Sequence, residues 1–119
     1  MILVLVEHAD GRPDGLALEA LAFAARLAGA GHGPVEAVVF APDAAPAAAG
    51  LGAYGVATAH VVEEPALGEY APAGWASALA QLIAAREPTI VLAAGSVRGN
   101  EVLAHLGART GLPVAATGT

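Results

Sequence analysis

Cysteine is absent from the 119 residues, and with it go disulfide frameworks, thiolate nucleophiles and every metal site that needs sulfur. Lysine is absent too, and the five basic residues are the scattered arginines Arg12, Arg26, Arg86, Arg98 and Arg109. Against them stand 11 acidic residues, for a formal net charge of −6. Neutralising phosphates takes clustered Lys and Arg, so this balance argues against a nucleic-acid partner. Only 13% of the residues are charged, well below a usual ~25%. Part of a surface so poor in charge is expected to lie under another chain or another domain. Long hydrophobic runs are missing as well. Although 56% of the residues are hydrophobic, no run approaches the ~18 needed to span a membrane. Met1 to Val6 carries no basic flank and meets Glu7 at once, which reads as a first strand and not as a signal peptide. These absences together predict a cytoplasmic protein of one domain with a single sizeable core.

What is present is organised around Thr89 to Gly111, TIVLAAGSVRGNEVLAHLGARTG. The apolar, β-branched run from Thr89 to Ala94 suits a strand buried on both faces, as in a parallel sheet. It breaks at Gly95 and Ser96. Val102, Leu103 and Leu106 then fall on one helical stripe. Asn100 is a candidate N-cap, or Ser96 if the helix starts earlier, and Gly111 with Pro113 behind it is a stop signal. Strand, glycine-bearing turn and helix in this order place backbone N–H groups at a helix N-terminus, which suits anions and nucleotides.

The rest of the chain repeats that alternation. Ile2 to Val6 reads as a strand and Glu7-His8-Ala9-Asp10-Gly11 as the turn leaving it. Asp14 can cap a helix from Gly15 to about Gly29 with Ala17, Leu21, Ala24 and Ala28 inward. Val35 to Ala41 is a second buried strand, and Pro42-Asp43 opens a short alanine-rich helix ending near Gly50. Leu51 to Val56 reads as a glycine-spaced connection and Ala59 to Val62 as a third strand. A proline-bounded loop from Glu63 to Pro72 precedes a helix over Ala73 to Arg86, where Trp75, Leu79, Leu82 and Ile83 keep helical spacing. Leu112 to Ala116 supplies a fifth strand. With no hairpin signal between strands, this βαβαβαβαβ order predicts an α/β fold: three layers, α/β/α, around a mainly parallel, Rossmann-like sheet of about five strands. In the doubly wound arrangement strands 1 and 4 are neighbours at a topological switch point. Glu7 to Asp10 is then expected beside Gly95 to Asn100, at the strand ends where such folds hold ligands.

The candidate ligand cradle is therefore Gly95, Ser96, Arg98, Gly99 and Asn100. It contains neither G-x-G-x-x-G nor G-x-x-x-x-G-K-[ST]. The reading favoured here is an ordinary tight βα turn, with Arg98 facing solvent or a partner chain. Ser96 does not make a nucleophile elbow, which needs G-x-S-x-G, because it directly follows Gly95. Glu7, His8 and Asp10 form a polar cluster after strand 1, as expected where a buried strand turns into water. His8, His32, His60 and His105 lack metal-ligand spacing. No catalytic and no metal-binding residues are assigned. The loop carrying Glu63, Glu64, Glu69 and Tyr70 reads equally as a solvated acidic loop or as an interaction arm, with Tyr70 and Trp75 as apolar anchors.

ILVLVEH at the start, LGAYGV before the third strand, EYAPAGWA before its following helix and, most specifically, VLAAGSVRGNEVLAHLGARTGLPVAA resemble the alpha subunit of electron transfer flavoprotein, in the same order from Ile2 to Thr117. The resemblance implies the N-terminal domain of a longer chain that pairs with a beta subunit as a heterodimer. The pair carries one FAD and passes electrons from flavoprotein dehydrogenases to a membrane-bound quinone oxidoreductase or another acceptor. In that family the FAD sits chiefly on a C-terminal domain of the alpha subunit, which is not among these 119 residues, and a structural AMP sits on the beta subunit. The resemblance carries no FAD-binding motif onto these positions, and no cofactor is expected in this fragment. It implies a scaffold and heterodimer-interface role without catalytic activity of its own, in a domain that stops before its later strands. The alternative is a small adenine-nucleotide binder of the universal-stress-protein type, which shares the architecture. That type expects G-x-x-G, a gap, then G-[ST], and Gly95 and Gly99 are spaced differently.

Overall fold

A computed structural model of the chain describes residues 1–9, 11–41, 43–63, 72–110 and 114–117, with the backbone alone at 72, 108–110 and 114–117. The apolar runs form a five-stranded sheet from β1 (Ile2–Leu5), β4 (Val35–Phe40), β5 (Val56–Val62), β6 (Ile90–Ala94) and β7 (Val114–Thr117). Its order is β5-β4-β1-β6-β7, and every pairing is parallel. β1 lies between β4 and β6, with Ile2 opposite both Val35 and Ile90. The switch point expected between the first and fourth long strands is therefore where the sequence puts it.

A strand period of two explains why these runs are apolar throughout. Ile2, Val4 and Val6 face one layer with Val35, Ala37 and Val39, against Ala17, Ala20, Leu21 and Ala24 of α1 (Gly15–Leu27) and Ala44 and Ala47 of α2 (Ala44–Ala49). Leu3, Leu5, Val38, Phe40 and Val91 face the other layer. There they meet Trp75, Leu79 and Ile83 of α3 (Pro72–Arg86) and Val102, Leu103 and Leu106 of α4 (Val97–Thr110). Alanines supply most of the first helical layer, so α1 and α2 lie close on the sheet.

Several boundaries differ from the sequence expectation. α1 stops at Leu27, and Ala28 to His32 form a wider turn in which Gly31 takes φ 100°. Ala28 is only partly buried, while Ala20, unassigned from the sequence, is fully buried. The third long strand begins at Val56 and not at Ala59, because a short 3₁₀ turn at Leu51–Tyr54 already closes the connection and Gly55, at φ 86°, turns directly into β5. A hairpin also exists: β2 (His8–Ala9) pairs antiparallel with β3 (Arg12–Pro13). The Asp-Gly pair at 10–11 is a favoured hairpin dipeptide, and Gly11 takes φ 75°. Asp10 itself lies outside the described residues, as do Glu64, Glu69 and Tyr70 of the acidic loop and Leu112 and Pro113 before β7. α3 ends on Glu87 in the left-handed region, φ 52°, with its N–H donated to Ile83 O at 2.8 Å. That is a C-cap geometry usually given to glycine.

Candidate functional site

The site expected from the sequence is the crevice over the carboxyl ends of β1 and β6. Register places Leu5 opposite Ala93, so the turns that follow these strands emerge side by side. Glu7 and Ser96 are brought into contact there: Ser96 Oγ donates to Glu7 Oε2 at 2.5 Å. The same hydroxyl accepts the Gly99 N–H at 2.9 Å, and Ser96 O accepts the Asn100 N–H at 3.0 Å. Ser96 is thus the N-cap of α4, its side chain satisfying the amide three residues on. The alternative cap, Asn100, lies inside the first turn of the helix. Ser96 won because β6 hands over to α4 with only Gly95 and Ser96 between them.

Gly99 has a different task. A Cβ built at this position would lie 2.2 Å from the carbonyl oxygen of Ala94 and 3.1 Å from Ser96 Oγ. Only a residue without a side chain lets α4 come this close to the end of β6. Gly99 is buried, whereas Arg98 and Asn100 are exposed and Val97 is 76% exposed.

The second helix at this end is also capped from within. Asp14 Oδ1 accepts the Ala17 N–H at 3.0 Å, and the backbone N–H of Asp14 is donated to Glu7 O at 3.0 Å. His8 reaches across to β4, its Nε2 2.8 Å from Phe40 O. A carbonyl only accepts, so Nε2 carries a proton; Nδ1 is buried without a hydrogen-bond partner. The Phe40 ring stacks on Trp75, with centroids 4.5 Å apart and planes 9° from parallel. Trp75 is 7% exposed, which corrects its reading as an interface anchor: it belongs to the core under the sheet.

Chemically, the crevice brings an acid, a capping hydroxyl and two capped helix ends together. Ser96 Oγ is fixed between Glu7 and Gly99, which is the work of a cap and not of a nucleophile elbow. No group of three or more metal-ligating side chains gathers among the described residues. Ser96 holds the Glu7 carboxylate beside the α4 N-terminus, where it would repel a second negative group.

The second cluster escaped the sequence reading. Glu36, 4% exposed on β4, accepts His60 Nε2 at 2.7 Å and Arg86 Nε at 3.0 Å on Oε1, and Arg86 Nη2 at 2.6 Å on Oε2. The hydrogen bonds from Arg86 hold its carboxyl far below the ordinary value, at about 2, against the upward push of burial and with added help from His60. One signal was available: a lone glutamate within VEAVVF must find a partner or lose its charge. Its partners, 24 and 50 residues away, were not legible.

The architecture is that of a doubly wound, Rossmann-like α/β domain whose switch-point turn is capped by its own residues. The family model of the electron transfer flavoprotein domain matches residues 2–117, so the chain belongs to the electron transfer flavoprotein domain family. No curated protein sequence matches the chain. Among solved structures, a universal stress protein from Archaeoglobus fulgidus in complex with dAMP is similar at TM-score 0.66 and 18% identity, over 97% of this chain and 94% of that one. Another structure of a universal stress protein from Archaeoglobus fulgidus is similar at TM-score 0.66 and 16% identity, over 97% and 90%. Identities this low show the shared fold alone. No helix among the described residues is long and apolar enough to cross a membrane.

Proposed function

We propose that the chain is the N-terminal domain of an electron transfer flavoprotein alpha subunit and works as a scaffold at the interface with a beta subunit. In that assembly an FAD, held chiefly by a further domain of the alpha subunit, carries electrons from flavoprotein dehydrogenases to a quinone oxidoreductase or a similar acceptor. Members of the family are electron carriers rather than enzymes, and on this reading the 119 residues contribute shape and contact surface, not chemistry. The observation that carries the scaffold role is the Ser96–Glu7 hydrogen bond. It puts a carboxylate beside the helix N-terminus that, in a nucleotide-binding relative of this fold, would face phosphate. The low charge content supports the same reading, since a surface with 13% charged residues suits coverage by other protein.

The competing reading, a small adenine-nucleotide binder, draws on the likeness to a universal stress protein solved with dAMP. One experiment separates the two. The chain is co-expressed with an electron transfer flavoprotein beta subunit and purified by a tag on either partner. Extracted nucleotides are then identified by mass spectrometry, both from the complex and from the chain alone. Co-purification at equal stoichiometry, with the chain alone free of nucleotide and flavin, is expected. AMP or ATP bound stoichiometrically by the chain alone would overturn the scaffold reading in favour of the nucleotide binder.

A further inference from the structure

The outer face of α1 is more apolar than contact with water requires. Ala17, Ala20, Leu21 and Ala24 pack inward on the sheet. The opposite side of the helix presents Leu16, Glu19, Ala22, Phe23 and Arg26, all exposed, which helical periodicity gathers into one stripe. Leu16 and Phe23, two turns apart on it, are 38% and 37% exposed. α4, on the other side of the sheet, shows the contrast: its exposed positions include Arg98, Asn100, Glu101 and His105. Tyr54, 47% exposed, extends the apolar surface past Ala25, against which Gly55 is set. We propose that this face of α1 is a homodimer interface, packing antiparallel on α1 of a second copy of the chain about a twofold axis between Ala22 and Phe23.

The order of charges along the helix picks out the occupant. Glu19 and Arg26 are the charged residues of α1. They stand roughly 10 Å apart along the axis, beyond the three- or four-residue spacing at which side chains of one helix meet. Among the described residues neither is in an ion pair. Arg26 lies over the Phe23 ring instead, 5.7 Å from its centroid, which keeps the guanidinium on this face. Ala22 and Phe23 are midway between the two charges. A twofold interface repeats every contact, so an antiparallel copy centred there sets Glu19 against Arg26 of the partner and Arg26 against the partner's Glu19. The same register sets the ring of Phe23 against the methyl of the partner's Ala22, twice over. Charge and volume are therefore both complementary to themselves. A parallel pairing would oppose Glu19 to Glu19 and Arg26 to Arg26, and like charges facing each other are unfavourable. Phenylalanine, tyrosine and arginine are also the residue types enriched in the centres of interfaces. One helix face is small for an interface, so the dimer forms and dissociates with concentration. The inference does not rest on pairing with a beta subunit: it concerns the chain by itself, and Glu7 and Ser96 of the crevice take no part.

Sedimentation velocity of the chain alone, from about 1 µM to about 1 mM, tests the interface. The wild type should pass from monomer to dimer over this range. Glu19→Arg and Arg26→Glu each place like charges opposite one another at both ends of the helix pair. Each should weaken the dimer by roughly tenfold or more. Mixed in equal amounts, the two variants should associate with each other within about threefold of the wild-type affinity, since every arginine then faces a glutamate. Single variants that associate as the wild type does, or a mixture no stronger than its components, overturn the proposal. So does a wild type that stays monomeric throughout, which leaves the face to a different protein. Should either variant fail to fold by circular dichroism, Ala22→Cys decides instead. The chain has no cysteine, so each copy then carries a single thiol beside the proposed axis. A short bifunctional thiol reagent should join these copies roughly tenfold or more faster than copies of Gln81→Cys, whose thiol sits on the exposed side of α3. Equal rates refute the interface.

Discussion

Replacing Gly99 with alanine is expected to destabilise the domain by about 3 kcal/mol, the upper part of the range for overpacking a rigid interior site. For a chain of this size that lowers Tm by on the order of 10 °C or more. The reason is the identity of the atom in the way. A Cβ at Gly99 lies 2.2 Å from Ala94 O, and that oxygen is backbone at the end of a central strand, so no rotamer change relieves the contact. The helix must move instead. Moving α4 away from β6 draws the Gly99 N–H off Ser96 Oγ and disturbs the Ser96 bond to Glu7, so the cap is lost along with the packing. Gly52→Ala is the control, because a Cβ there meets nothing within 4 Å; its effect should stay within about 0.5 kcal/mol. Thermal and urea unfolding followed by circular dichroism measures both. A Gly99→Ala protein as stable as the wild type would mean that α4 does not approach Ala94 O at the end of β6 closely enough to exclude a Cβ.

That prediction rests on a residue the sequence identified by place but not by task. Gly95 to Asn100 was legible as a βα turn because an apolar run, two small residues and a helical stripe follow one another without ambiguity. That the loops carrying Glu7 and Ser96 lie side by side was legible too, though the hydrogen bond between these two residues, 89 positions apart, was not. Strand order in a right-handed doubly wound sheet is constrained enough that the first and fourth long strands become neighbours. What could not be read was the choice between two competent caps. Ser96 and Asn100 are both good N-cap residues, and the tightness of the Gly99–Ala94 approach decides between them in three dimensions. Trp75 shows the same limit. Its helical spacing was clear, but whether that stripe faced the sheet or a partner depended on Phe40, 35 positions earlier, offering a ring to stack on. β5 was cut short for a third reason: glycines at 52 and 55 resemble a flexible connection, yet one of them is the sharp turn that starts the strand.

The acid limb of the stability curve is expected to be set in good part by Glu36. Its carboxyl titrates near 2 in the folded chain against an ordinary 4.5. The folded value is the lower one, so the cluster's contribution is complete above the unfolded value and is lost as pH falls from about 4.5 through about 2. At 1.36 kcal/mol per unit the total is on the order of 3 kcal/mol. Arg86→Leu should remove this limb and do more. Among the described residues, Arg86 supplies two of the three hydrogen bonds to a carboxylate that is 4% exposed, and stranding a buried charge costs about 3 kcal/mol or more. The Arg86 side chain is itself 46% exposed, so water reaching the gap keeps the loss near the lower end. With Arg86 gone, burial pushes the Glu36 carboxyl upward with less to oppose it, and the sign of the pH dependence changes. The variant should then gain stability as pH falls toward about 5, where protonation relieves the buried charge. Pairing Arg86→Leu with Glu36→Leu removes the charge altogether and should recover most of the loss, since apolar replacement of a buried ion pair is often neutral or better. Urea midpoints between about pH 3 and pH 8 for the three proteins decide it. An Arg86→Leu chain with the wild-type acid limb would show that Glu36 owes its low titration to something other than this ion pair.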